Sequence, residues 1–375
     1  MAADLNGLRV AIVTDISPGE RSRYWIEALA ALGELGVESH LVTVREPGVL
    51  HEEARDVTSG RLALGARRAK NYPAAAWRLR TYAAAQDLAV IHASEPIPGL
   101  IGAMARGAGH GAPSLLFQRR HEITTSKQDW FTSIAAARAD RVLTVSRAVT
   151  RAVLAAHVRP EKLREVGNGV VATSQRASGT GADERQHLAI NEEDVVVMCV
   201  ARIRAGKGHE VLIEACRLLG ADPMLAGRRL HLLLVGDGPK TAAVARRAEE
   251  TTGFETHLAG WVDDPEDWLA IADVAVVPSL HEAFGKTAVE AMATGTPLVA
   301  SRVGGLIDLL DGDRNGIGFE PGDAGELASA ILKTLSDSPA TAARVAAARS
   351  AYEREYTIQA MVERWAGVYA EFLSR

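Results

Sequence analysis

Residues 278–300 read PSLHEAFGKTAVEAMATGTPLVA, and the way this stretch divides decides the fold. The apolar run before it, residues 274–277 (VAVV), has the length and β-branched make-up of a buried strand. A polar loop with Ser279, His281 and Glu282 follows, and the pattern predicts a helix from near Gly285 through Met292. Gly295 and Pro297 stop that helix, and residues 297–300 (PLVA) read as a strand again. Strand, loop, helix and strand make a βαβ unit, the building block of a parallel sheet. The strand-to-helix turn at the carboxyl edge of such a sheet is where open α/β folds take their ligands.

The turn has the chemistry for an anion. At the helix start the backbone N–H groups of Phe284, Gly285, Lys286 and Thr287 are expected to face outward, beside the positive end of the helix dipole. A diphosphate suits that position, and Gly285 lets it come close to the backbone. Two carboxylates bracket the turn, Glu282 and Glu290. A carboxylate accepts two hydroxyl bonds at once, as sugar and ribose diols require. Each also has a plainer reading, Glu282 as a partner of the helix dipole and Glu290 as an i,i+4 partner of Lys286 on a solvated helix.

The same rhythm runs outward through the 375 residues. Strands are expected at residues 8–14, 38–44, 88–92, 114–117 and 141–145, with a helix at 23–35 closed by Gly36. Residues 172–187 (ATSQRASGTGADERQH) have no apolar period and read as a linker. The second half restarts at 194–201 (DVVVMCVA), a strand buried on both faces, with further strands at 231–235 and 255–258. A last helix is expected around residues 358–373. A chain of this length suits two domains. The boundaries predicted are 1–172 for the first domain, 173–187 for the linker, 188–357 for the second and 358–375 for a terminal helix.

Composition narrows the function classes. The formal net charge is −5, so there is no global pull toward nucleic acid. Cys199 and Cys216 stand in no metal-binding or disulfide pattern. No apolar run reaches the roughly 18 residues of a membrane span, and no signal peptide is evident, so a cytoplasmic protein is expected. The basic stretch from Arg61 to Arg80 reads first as a solvated face. Its second reading is a surface for an acidic acceptor or an anionic leaflet, which leaves peripheral membrane contact open.

The pattern P-S-x-x-E-x-F-G-K-T-x-x-E-A-M-A-x-G-x-P-x-V-A-S resembles the E-x7-E signature of glycosyltransferase family 4, a GT-B fold family. Residues 200–215 (VARIRAGKGHEVLIEA) resemble a second element of that family, with Ala201 where glycine is usual. Residues 232–239 (LLLVGDGP), 258–262 (LAGWV) and 303–310 (VGGLIDLL) resemble three more, and 139–146 (ADRVLTVS) and 166–170 (VGNGV) match loosely. The resemblance implies two Rossmann-like domains facing across a cleft, the terminal helix crossing back onto the first. It implies a retaining transfer from a nucleoside diphosphate sugar, UDP or GDP the candidate bases, to an acceptor hydroxyl in a lipid, saccharide or natural product. It gives Glu282 the transferred sugar, Glu290 the ribose, Arg202 and Lys207 the diphosphate, and Val262 a place near the base. His121 falls where the family often has a histidine of the reaction centre, with His92 a second candidate. The early glycine loop is broken here, leaving Gly19 as the one glycine of SPGERSRYW.

No Asp-x-Asp pair stands at a strand end, so no metal and no cofactor beyond the donor itself are expected. The alternatives are a phosphorylase or nucleotide-sugar epimerase on the same fold, a non-catalytic subunit that binds the nucleotide sugar, and a two-carboxylate hydrolase. Alanine and arginine usage points to a bacterial genome.

Overall fold

The structure, a computed structural model, describes residues 4–18, 22–107, 112–121, 126–171, 185–262 and 265–373. It divides into two compact units, Met1–Val171 with Thr357–Arg375, and Ala172–Tyr356. Most of the linker read at 172–187 lies outside the described residues. Its end does not behave as a linker. Arg185 donates to the Ile271 carbonyl at 2.9 Å and to Asp273 at 3.1 Å, which ties it to the second unit.

The first unit is built on seven parallel strands: β1 (Arg9–Thr14), β2 (Glu38–Thr43), β3 (Gly60–Ala63), β4 (Val90–Ser94), β5 (Ser114–Arg119), β6 (Arg141–Thr144) and β7 (Leu163–Glu165). Their order is β3-β2-β1-β4-β5-β6-β7. The second has six: β8 (Val195–Val200), β9 (Leu230–Val235), β10 (Glu255–Gly260), β11 (Val274–Val277), β12 (Leu298–Ser301) and β13 (Ile317–Phe319), in the order β10-β9-β8-β11-β12-β13. In each sheet the order runs one way from the first strand and then the other, so the chain changes direction at β1/β4 and at β8/β11. Loops on the two sides of such a point diverge and leave a crevice.

Burial explains why these segments are strands. Val195 to Cys199 are buried because helices cover both faces, which requires a continuous apolar run. The helix Arg23–Glu34 puts Trp25, Ala28, Leu29 and Leu32 into the core, and Gly36 at φ 79° follows its end. The helix Ile358–Ala370 packs in the same core through Met361, Trp365 and Tyr369. Gly169 makes this approach feasible, because a Cβ there would lie 2.7 Å from the Ile358 backbone.

The strand expected at 88–92 forms two residues later, and β3, β7 and β13 were not foreseen. They are three or four residues long, too short to show a period. Among the described residues no helix is long and apolar enough to cross a membrane.

Candidate functional site

The direction change of the second sheet joins two loops that are 75 residues apart in sequence. One leaves β8 and carries Arg202 and Lys207; the other leaves β11 and carries Ser279 and Glu282. The Leu280 N–H donates to the Gly206 carbonyl at 2.8 Å. Gly208, at φ 74°, lies so close to the other loop that a Cβ would sit 1.8 Å from the Pro278 carbonyl oxygen. Only glycine meets both demands, so Gly208 sets the approach of the loops.

That approach brings Lys207 to Glu282. Lys207 Nζ donates to Glu282 Oε2 at 2.6 Å, and Ser279 Oγ donates to the same oxygen at 3.2 Å. Both charged side chains are more than four-fifths buried. A pair this enclosed holds its geometry, and removing one partner leaves an uncompensated charge. Ser279 is itself fixed, since its carbonyl accepts from Ser301 Oγ at 2.5 Å. The role of Ser279 was missed in the sequence, although its spacing of three from Glu282 was visible. Behind the loop, burial pushes the Cys199 thiol up to about 12 even though the Lys207 charge opposes the rise. The thiol stays protonated and is no nucleophile.

Arg202 is exposed and makes no hydrogen bond or ion pair with a described residue. Its positive charge reaches Asp237 in the loop after β9. The glycines of that loop have a steric cause: a Cβ on Gly236 would meet the Ala201 carbonyl at 2.1 Å, and one on Gly238 the Ile203 carbonyl at 2.3 Å. The loop therefore backs the Arg202 segment directly.

The helix Lys286–Thr294 starts at the same edge, with Gly285 at φ 103° before it. A Cβ on Gly285 would meet Leu306 at 2.5 Å. The amides of Gly285, Lys286 and Thr287 donate to nothing among the described residues, the state of a helix start open to an anion. Thr287 offers only its amide outward, because its hydroxyl donates to the Val200 carbonyl at 2.9 Å. The Phe284 ring is buried and packs on Tyr356, so its side chain belongs to the core.

Glu290 pairs with Lys286 at 2.9 Å, but the plain reading of a solvated helix face is corrected. The Glu290 side chain is 3% exposed, and Lys286 is the one partner of its carboxylate among the described residues. Val262 follows the end of β10 and is half-buried.

In the first unit Gly19 lies outside the described residues. The direction change there is marked by Glu95, just past β4, which has φ 82° although it is not glycine. Strain of this kind persists only where the surroundings enforce it. Glu95 accepts from Arg119 Nη1 at 2.7 Å, the Arg120 N–H at 3.0 Å and His121 Nδ1 at 2.7 Å. Burial works to raise the Glu95 carboxyl, yet the His121 bond and the charges of His121, Arg119 and Arg120 hold it below the usual range. His121 itself is largely exposed. Arg120 lies over the Tyr24 ring at 4.1 Å. Glu95 was missed; the sequence signal was a carboxylate just before the Pro96 that opens a helix.

His92 is a core residue. It is fully buried, bonded to the Tyr369 hydroxyl at 2.7 Å and Gln118 at 3.2 Å. Burial lowers it to about 3, so it is neutral. In the basic stretch, Arg67 pairs with Glu46 and Arg78 donates to the Leu64 carbonyl, uses internal to the unit.

Comparison with known proteins adds to this geometry. Residues 194–337 match the family model described as Glycosyl transferases group 1, and residues 22–173 match that described as Glycosyltransferase Family 4. The D-inositol 3-phosphate glycosyltransferase of Thermomonospora curvata is 34% identical over 202 residues, 50% of this chain and 46% of that protein. The D-inositol 3-phosphate glycosyltransferase 1 of Catenulispora acidiphila is 29% identical over 308 residues, 76% of this chain and 72% of that one. The chain spans about half the length of the first of these relatives. A glycosyltransferase of Rickettsia africae superposes with a TM-score of 0.82 at 20% identity, over 99% of this chain and 100% of the other. The Anabaena protein Alr3699/HepE, solved with UDP and glucose, gives 0.77 at 19% identity over 96% and 99%. With two parallel-sheet units, a GT-B fold and a family model matched in each half, the chain belongs to glycosyltransferase family 4.

Proposed function

We propose that this protein transfers a glycosyl unit from a nucleoside diphosphate sugar to an acceptor hydroxyl, with retention at the anomeric carbon and without a catalytic metal. The observation that carries this reading is the edge at β8/β11, where Lys207, Glu282 and the open amides of Gly285 to Thr287 lie on adjoining loops. Lys207, Arg202 and those amides receive the diphosphate. Glu290 takes the ribose hydroxyls, and Val262 lies by the base. A diphosphate competes with Glu282 for Lys207, and the carboxylate it frees accepts from the sugar hydroxyls. When the bond from the anomeric carbon to the diphosphate breaks, the electron pair stays on the phosphate oxygen, where Lys207, Arg202 and the helix start stabilise it. The acceptor oxygen bonds to the carbon on the same face, and its proton goes to the departing phosphate.

A uridine donor is favoured by the structurally similar Alr3699/HepE, solved with UDP. His121 is assigned to the reaction centre, with its Nδ1 held by Glu95, and Gly19 to the donor phosphates. The acceptor is a lipid, saccharide or natural-product hydroxyl. Two buried free cysteines accord with a reducing, cytoplasmic setting.

A thermal-shift screen against UDP-, GDP-, ADP- and dTDP-sugars tests the reading. One base should stabilise the protein, by about 2.7 kcal/mol at 100 times its dissociation constant. Product analysis with an acceptor should then show the sugar moved with retention. No shift with any of the four, or hydrolysis of the donor whether or not acceptor is present, contradicts it.

A further inference from the structure

The opposite edge of the second sheet holds a cluster that the transfer reaction does not use. Glu255 and His257 are two residues apart on β10, so their side chains share a face. Glu255 is in register with His231 on β9. The donor atoms of His231, Glu255 and His257 all lie within 4.8 Å of one another. His231 Nδ1 is 3.0 Å from His257 Nε2 and 3.7 Å from Glu255 Oε2. Two ligand atoms each about 2.0–2.1 Å from a tetrahedral zinc ion stand about 3.3 Å apart, between those two distances.

The tautomer points the same way. His231 is fully buried, and its Nε2 faces Asp194 Oδ2 at 3.3 Å, a carboxylate oxygen that only accepts. In the neutral ring this partner places the proton on Nε2, so that Nδ1 presents a lone pair toward His257 and Glu255. A carboxylate behind a histidine in this manner fixes the orientation of a metal ligand. Asp194 is held in turn by the Asn191 N–H at 2.7 Å and Arg229 at 2.6 Å. The local charge also suits a cation. Asp194 and Glu255 are negative, Arg229 offsets one of them, and the two imidazoles in their neutral form leave a net charge of minus one.

We propose that His231, Glu255 and His257 bind one divalent transition-metal ion of the zinc class, with Asp194 as the outer carboxylate. Imidazole nitrogen with one carboxylate is a donor set for zinc, cobalt or nickel rather than for magnesium or calcium. His257 is half-buried and Glu255 exposed, so the fourth position is open to water. Because β10 is the edge strand, the ion ties it to β9. The site lies at the start of the strands, whereas Arg202, Lys207 and Glu282 follow strand ends, so the ion serves the fold and not the transfer.

The experiment uses the full chain stripped with a chelator, titrated with Zn²⁺ by calorimetry and with Co²⁺ by absorbance. One equivalent should bind saturably and raise the melting temperature. His257→Ala and Glu255→Gln, both at accessible positions, should weaken binding by more than the roughly 10–100-fold that outer-shell losses cost. His157→Ala, an exposed histidine of the first unit, should bind like the parent. Absence of saturable binding to the parent overturns the proposal. So does undiminished binding in the His257→Ala/Glu255→Gln double variant, or equal loss in His157→Ala.

Discussion

The edge at β8/β11 and the edge at β1/β4 are the same topological feature built in two ways. At β8/β11 two loops 75 residues apart in sequence are locked backbone to backbone at Gly208 and Pro278. Each loop carries its own charged groups within a short stretch, Arg202 and Lys207 on one and Glu282 beside the helix start on the other. Beside β1/β4 the polar cluster bridges the ends of β4 and its other neighbour β5: Glu95 follows β4, while Arg119 ends β5 and His121 lies just beyond it. On the proposed function, the contrast follows from what each edge has to hold. Backbone amides and tight glycine turns recognise a diphosphate, and those demand a contiguous sequence. A carboxylate that gathers an arginine, an amide and a histidine needs only three donors in the right place, and many sequences supply them.

Breaking the locked edge should have the largest effect. Lys207→Ala removes the positive charge proposed to meet the diphosphate and strands Glu282, and turnover should fall about a hundredfold in steady-state assays. A fall of less than about threefold would detach Lys207 from the chemistry. The glycines come next. Gly208→Ala meets the Pro278 carbonyl as well as an unfavourable φ, whereas Gly206→Ala, at φ 84°, meets open space. The second should cost about 1–2 kcal/mol of stability from the backbone alone, and the first clearly more. Equal unfolding free energies in denaturant would mean that the loops are not locked.

The first-unit edge should respond least and in a pH-dependent manner. Glu95 is held below the ordinary glutamate value, so its contribution to stability is complete above about pH 4.3 and is lost as the pH falls through its lower folded value. Glu95→Gln should flatten the acid side of the melting-temperature profile and leave the neutral side nearly level. Profiles that stay parallel down to about pH 3 would show that Glu95 is not coupled to the fold in this way.

Most of the frame was legible because burial on both faces forces an unbroken apolar run, as in β8 and β11. What escaped depends on pairing between distant segments. Lys207 and Glu282 were each read for a ligand, yet their bond across 75 residues follows from β8 lying beside β11. The environment of Glu290 escaped for a related reason. The i,i+4 spacing to Lys286 was visible, but whether that face meets water depends on what packs against the helix. Glu95 had a local signal in Pro96, while its partners come from β5, and the left-handed backbone at a glutamate has no sequence signature. Strands of three or four residues at sheet edges carry too little period to be seen.

The two glutamates carry the central claim, and calorimetry with the free nucleoside diphosphate tests it on Glu282→Gln and Glu290→Gln side by side. Glu290→Gln should weaken nucleotide binding by roughly 1.5–3 kcal/mol, about ten- to a hundredfold, because the ribose loses a charged acceptor. Glu282→Gln should bind the nucleotide nearly as the parent does and lose most of its turnover. If Glu290→Gln binds nucleotide like the parent and Glu282→Gln turns over normally, the β8/β11 edge is not the donor site.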